Sequence, residues 1–416
     1  MKQLVILGAG TAGTMMANHL ARKLDESEWT LTIVDEHSTH YYQPGFLFIP
    51  FGTYDEDDVR KPKADFIPKG VRLVQEAIDL VSPSDNEVVL KSGDRLPYDI
   101  LIVATGSKIV PSETEGMLGD GWRRDIFDFY TIEGALALRE RLRNWKGGRL
   151  VVHLNEMPVK CPVAPLEFTL LAEAYLTDRG VRDATEIRYL SPLSEPFTKH
   201  NCAVVLGNML DEKRIEFVPD FQCESIDPEG RKVVSYDEKE VEYDLLVTIP
   251  TNMGDPCIER SGLGDDLNFI PTDLHTLQSK AHENIFVLGD ATDLPSSKAG
   301  SVAHFQADVL TGNIERFIAG KPLDPGFDGH ANCFIESGHG KAFLIDFNYE
   351  VEPLEGTFPL PLVGPFKLLK QTRINHMGKL AFRWMYWNLL LKGIPMPGIS
   401  TNMTMVGKQA ARKRGD

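Results

Sequence analysis

The sequence predicts an α/β protein of two Rossmann-like units followed by an amphipathic C-terminal region. Three observations carry this expectation. A short apolar strand at residues 3–7 runs directly into the turn Gly8-Ala9-Gly10-Thr11-Ala12-Gly13. A second apolar strand at 149–154 precedes a segment of helical composition at 166–176. Near the C-terminus, Ile374, Met377, Leu380, Ala381, Trp384 and Leu391 recur at helical spacing, with Lys379 and Arg383 on another face.

The first unit has its motif in the required context. Residues 14–24 have helical composition, and a second strand at 29–34 ends in Asp35. In such a unit Gly8 permits the tight turn, Gly10 lets the backbone approach a pyrophosphate, and Gly13 lets helix and strand pack closely. The helix N-terminus then faces the phosphates, and Asp35 stands where an acid binds a ribose hydroxyl. A dinucleotide is expected here.

Bulk properties narrow the functional classes. The chain has 416 residues, too many for one ordinary core. A formal net charge of −16 excludes general nucleic-acid binding, which needs a basic footprint. Five cysteines in a chain of this length do not make a disulfide scaffold, so any disulfide is expected to be catalytic. No apolar run reaches the ~18 residues of a spanning helix. The N-terminus enters a strand at once, so no secretory leader is expected. No metal site is assigned.

Two further segments extend the reading. Leu101-Ile102-Val103-Ala104-Thr105-Gly106 and Asn284-Ile285-Phe286-Val287-Leu288-Gly289-Asp290-Ala291 are apolar strands closing on small-residue turns. Their order resembles the two-dinucleotide-binding-domain flavoproteins of the glutathione-reductase-like class. The resemblance implies FAD. It implies a domain crossing at Thr105 and Gly106, and an Asp290 beside the ribityl and phosphate groups after Gly289. It also implies Gln43 and Pro44 against the flavin ring, and Lys298 or a helix N-terminus steadying the reduced flavin. Residues 1–110 and 271–350 would form the FAD domain, 111–270 the inserted domain and 351–416 a tail. In NADH-using members a second glycine motif opens the inserted domain. Here the strand at 149–154 leads into Asn155-Glu156-Met157-Pro158-Val159-Lys160-Cys161-Pro162, which contains no glycine. Pro158, Pro162 and Pro165 have no N–H to offer a phosphate. The second unit is therefore expected to lack a nicotinamide site.

Cys161, in Lys-Cys-Pro-Val-Ala-Pro-Leu-Glu, and Cys333, in Cys-Phe-Ile-Glu-Ser-Gly, look like the two sulfide-handling cysteines of sulfide:quinone oxidoreductases. The tail segments at 364–370 and 382–388 are similar to that family too. The resemblance implies that hydrosulfide attacks a Cys161–Cys333 disulfide, leaving one persulfide and one thiolate. Cys333 is read as the flavin-facing thiol and Cys161 as the persulfide carrier. Glu167, in the family's Ala-Pro-x-Glu pattern, and His200, which titrates in the useful range, are candidate proton carriers. Phe334 and Phe366 are candidates to flank a quinone ring. Cys202, Cys223 and Cys257 are read as structural. Many members carry a third cysteine in the segment here reading Ile126-Phe127-Asp128-Phe129-Tyr130. This chain has none there, so FAD is expected to be non-covalent.

The tail reads as an in-plane membrane helix. Trp384, Tyr386 and Trp387 suit the headgroup boundary, and Lys367, Lys370, Arg373, Lys379, Arg383, Lys392 and the 408–414 segment supply positive charge. The expected partners are thus sulfide, a membrane quinone, a membrane surface and further copies of the chain in a homo-oligomer. The expected location is peripheral, on the cytoplasmic membrane. Three other readings stay open: a flavocytochrome-c-type sulfide dehydrogenase, a type II NADH:quinone oxidoreductase and a non-catalytic flavin-binding scaffold.

Overall fold

The structure is a computed structural model that describes residues 1–361, 364–396 and 398–409. Along the chain come β1 (Lys2–Leu7), α1 (Thr11–Leu20), β2 (Trp29–Val34), β3 (Arg72–Val74) and β4 (Ile100–Val103). Next come β5 (Ile126–Phe127), β6 (Gly148–Leu154), α2 (Ala164–Asp178), β7 (Thr185–Leu190), α3 (His200–Glu212), β8 (Ile215–Val218) and β9 (Leu245–Ile249). The chain closes with β10 (Ile285–Val287), α4 (Gly300–Ile318), β11 (Ala331–Gly338), β12 (Lys341–Phe347), β13 (Gly356–Phe358), β14 (Phe366–Leu368) and α5 (Arg373–Met385).

Two five-stranded parallel sheets result. The first runs β10-β4-β1-β2-β3, so the strand at 285–287 returns to complete a sheet begun at the N-terminus. The second runs β5-β9-β6-β7-β8. The central strands of both are buried over most of their length and mostly apolar, as burial on two faces requires. Residues 107–109 pair antiparallel with 252–254 where the chain passes between the two units.

A third, mixed sheet runs β11-β12-β14-β13. It takes in the strand that carries Cys333 and, from the predicted tail, Gly356–Phe358 and Phe366–Leu368. One apolar core spans residues from all three sheets and the helices between them.

The C-terminal helix is amphipathic as expected, but it ends sooner and docks differently. The α-helix stops at Met385, and Tyr386–Leu390 form a π-helical turn. Tyr386, Trp387, Leu390 and Leu391 are buried, with Trp387 stacked on Phe66. Tyr386 and Trp387 are therefore core residues rather than headgroup anchors. The reason is local: the wider turn rotates them off the exposed face and into the pocket beside His40 and Tyr42. Part of the predicted positive charge is also neutralised. Lys379 pairs with Glu167, Arg383 with Asp58, and Lys408, only 2% exposed, with Asp346. Residues 410–414 of the basic segment lie outside the described residues.

Candidate functional site

The nucleotide turn forms as its glycines dictate. Gly8 has φ +90°, and a Cβ there would sit 2.5 Å from the Ala104 carbonyl oxygen. A Cβ on Gly13 would lie 1.8 Å from the Gly8 carbonyl oxygen, so helix and strand can meet only without one. Nothing lies within 4 Å of a Cβ on Gly10, which faces open space. No side chain caps the first turn of α1, leaving its N–H groups for a ligand. Asp35 Oδ2 accepts from Ala9 N at 2.7 Å, and Oδ1 pairs with buried Lys63 at 2.5 Å. The carboxylate thus braces the turn as well as facing the nucleotide cavity.

That cavity, about 510 Å³, runs from the turn across the molecule to the third sheet. Gly8, Gly10 and Asp35 line one end. Gln43, Pro44, Thr105, Gly106, Gly289, Asp290 and Lys298 line its middle, with Cys161, Cys333 and Glu167. Phe334 and Phe366 close the far end in an edge-to-face pair at 5.3 Å. Thr105 Oγ1 is buried with no partner, a polar atom left for a ligand. The N-termini of α1, α2 and α4 all border the cavity, and each brings partial positive charge to it. Glycine cradle, unpartnered hydroxyl and converging helix ends fit a dinucleotide such as FAD. Lys298 lines the cavity, but its Nζ donates to the Asp290 and Thr292 carbonyls and lies over the Phe269 ring. The helix end at Gly300 is therefore the freer source of positive charge.

The two thiols are free, and both border this one space. Cys161 sits at φ 45°, a left-handed conformation costly for a residue with a Cβ. Its backbone is pinned from both sides: Cys161 N donates to Lys298 O at 2.8 Å, and Tyr130 OH donates to Lys160 O at 2.6 Å. Burial pushes both thiols up, and the Glu167 carboxylate adds to this. Cys333 rises only to about 11, because the Lys379 ammonium pulls it back. Glu167 is itself raised by burial, against the opposing pull of Lys379.

His200 corrects the sequence expectation. It is exposed at the start of α3, pairs with Glu195 at 2.7 Å, and does not border the cavity. The helix turns its first residue outward and buries Cys202 in the core instead. Asp128, in the segment lacking a third cysteine, is buried and structural. It pairs with Arg123 at 2.6 Å and accepts from the N–H groups of Tyr130 and Thr131.

The loop after β6 contains no phosphate cradle. Glu156 accepts from Thr251, Lys160 N donates to Asn252 Oδ1, and α2 starts only at Ala164.

Relatives agree with this geometry. A profile of the pyridine nucleotide-disulphide oxidoreductase family matches residues 2–152. The chain is 31% identical over 386 residues to apoptosis-inducing factor 1 of Saccharomyces cerevisiae, covering 88% of this chain and 92% of that one. It is 28% identical over 397 residues to the mitochondrial sulfide:quinone oxidoreductase of Dictyostelium discoideum, covering 94% and 86%. The chain belongs to the pyridine nucleotide-disulphide oxidoreductase family and is similar along most of its length to sulfide:quinone oxidoreductases. It is an oxidoreductase of flavoprotein type. The X-ray structure of the sulfide:quinone oxidoreductase from Aquifex aeolicus shares its fold, with a TM-score of 0.76 at 20% identity over 95% of this chain and 92% of that one.

Several cavity residues escaped the sequence reading. Tyr130, Lys63 and Lys160 border the space, as do Gly378 and Lys379 of α5. A Cβ on Gly378 would lie 2.5 Å from Phe366 Cε1 and 2.8 Å from Phe334 Cζ, so the helix can approach both rings only at a glycine. Lys379 Nζ donates to Glu167 Oε1 at 2.5 Å and to Phe334 O at 2.8 Å. The pattern HMGK held a clue, since a glycine beside a lysine is unusual inside an amphipathic helix. The same helix reaches the nucleotide turn: Tyr386 OH lies 2.7 Å from Thr11 Oγ1 and 2.6 Å from His40 Nε2.

Proposed function

We propose that the protein oxidises sulfide through the Cys161–Cys333 pair and delivers the electrons, by way of non-covalent FAD, to a membrane quinone. The carrying observation is that both thiols, the nucleotide turn and the paired phenylalanines border a single cavity. Hydrosulfide attacks the Cys161–Cys333 disulfide. One S–S bond breaks, one forms, and a persulfide and a thiolate remain. Cys161 carries the persulfide in this reading, and Cys333, whose thiolate Lys379 favours, supplies the electron pair. FAD, when bound, would supply two-electron redox chemistry there. Gly8, Gly10, Asp35, Thr105, Gly106, Gly289 and Asp290 would hold the cofactor, with Gln43 and Pro44 against its ring. Overall, HS⁻, one proton and a quinone give zero-valent sulfur and the quinol. Phe334 and Phe366 would flank the quinone, and Glu167 would hold a proton beside it.

The test is anaerobic addition of sulfide to the flavin-loaded protein. Bleaching of the flavin band is expected, with the rate falling at least ~10³-fold in Cys161→Ser and in Cys333→Ser while flavin content is kept. Bleaching by NADH and none by sulfide would overturn the reading.

The same reading seats the protein peripherally on a membrane through α5. Ile374, Met377, Ala381 and Trp384 form an exposed stripe on this helix, with Met377 66% and Trp384 62% exposed. No described helix is long and apolar enough to cross a bilayer. Since Lys379, Arg383 and Lys408 are already paired, binding rests on the apolar stripe more than on charge.

A further inference from the structure

We infer that His376, acting through Glu336, is the port through which protons from solution reach the phenylalanine end of the cavity. The inference rests on the sulfide:quinone reading, in which one net proton per turnover must come from solution.

His376 lies on α5 with its side chain 25% exposed, and its Nδ1 stands 2.9 and 3.0 Å from the two carboxylate oxygens of Glu336. Glu336, on β11, has a side chain 1% exposed. Lys379 follows three residues later, on the same helix face as His376. Its ammonium reaches Glu167 Oε1, which also accepts the Glu336 backbone N–H at 2.7 Å. Neither His376 nor Glu336 borders the cavity, whereas Lys379 and Glu167 do. His376 and the Glu336 carboxylate form the outer part of this cluster and Glu167 with Lys379 the inner part, joined at the Glu336 backbone N–H.

Charge balance gives the cluster its purpose. Two buried carboxylates and one buried ammonium sum to −1, and an uncompensated buried charge is costly. One more proton neutralises the group, and His376 is its member nearest to solvent. The charged and titratable groups facing it are Glu336 from β11, Glu167 from α2, Lys379 from α5 itself, and Tyr54, whose hydroxyl feels both Lys379 and Glu336. The hydrogen bond to Glu336 raises the imidazole above its ordinary value. Glu167 Oε2 is buried without a partner, leaving an acceptor free at the cavity wall.

The transfer balances. A solvent proton binds His376 Nε2 as Nδ1–H passes to Glu336. Lys379 gives one ammonium proton to the reduced acceptor's oxygen and is restored from the carboxylates beside it.

Two measurements test this. Dithionite-reduced, flavin-loaded protein is mixed anaerobically with decyl-ubiquinone. At pH 8, His376→Ala and His376→Gln should slow flavin reoxidation at least tenfold, with added imidazole restoring much of the rate to His376→Ala. Reoxidation at the wild-type rate in both variants overturns the port. Because dithionite supplies the electrons, a protein that failed to use sulfide would still report on it. Independently of turnover, proton NMR of the His376 ring should show a midpoint above the ordinary value of about 6.5, falling toward it in Glu336→Gln. An unshifted midpoint in that variant overturns the coupling.

Discussion

The two Rossmann-like units solve the same topological problem and end differently at the turn after their leading strand. After β1, the three residues Gly8-Ala9-Gly10 leave the backbone bare at the cavity. After β6, the nine residues 155–163, with two prolines, bring a side chain to it instead. The first turn offers N–H groups, while the second offers the Cys161 thiol on a strained, left-handed residue. Both helices that follow still point their N-termini at the same cavity. Of two similar units, one keeps the glycine turn, and at the other the helix end faces a cysteine thiol. Loss of a cradle is thus compatible with full retention of the sheet, since β6 keeps its parallel partners β7 and β9.

The contrast can be tested from its strongest consequence downward. Gly13→Val should abolish flavin retention and cost about 3 kcal/mol of stability, because its Cβ would meet a backbone oxygen at 1.8 Å. Glu156→Gly, at the other turn, should leave flavin content unchanged and create no NADH binding. Absorbance of the purified proteins and thermal melting check both.

Alkylation by iodoacetamide comes next. With its thiol raised to about 11, Cys333 at pH 8 should react roughly 10²-fold more slowly than a free cysteine of ordinary pKa about 8.5. The thiolate is the reactive form, so the rate should climb about tenfold per pH unit toward that value. Mass spectrometry of quenched samples reads this, and an ordinary rate at pH 8 would show that burial does not govern the thiol.

Tyr130→Phe removes the hydroxyl that ties down the carbonyls of Lys160 and Cys161, at a cost of about 1–2 kcal/mol. It should slow sulfide-driven bleaching several-fold yet leave flavin affinity unchanged, a split that simple unfolding would not produce. The smallest effect belongs to the lipid-facing stripe. Trp384→Ala should weaken vesicle binding by about 1–2 kcal/mol. Sedimentation should show nearly equal binding to zwitterionic and anionic vesicles, and a strong preference for anionic lipid would restore the cationic-face picture.

What was legible in the sequence follows from the range of each interaction. The glycine turn, the strands and Asp35 are local patterns, and they hold because backbone sterics within a few residues determine them. The absence of glycine after β6 was equally readable. Lys379 and Tyr130 were not, because their roles depend on contacts 212 and 30 residues away, with Glu167 and Lys160. His200 went astray because a histidine's proton chemistry says nothing about which side of α3 faces the cavity. Tyr386 and Trp387 were read as interfacial because the pattern was extended as a regular α-helix. The π-turn shifts their phase, and burial among Tyr42, Phe66 and His40 follows.

The hydroxyl of Tyr386 is buried at the end of the C-terminal helix. It joins the turn that follows α5 to Thr11, the first residue of α1. On the proposed function, any coupling this bond carries between cofactor loading and bilayer attachment acts with equal free energy in both directions.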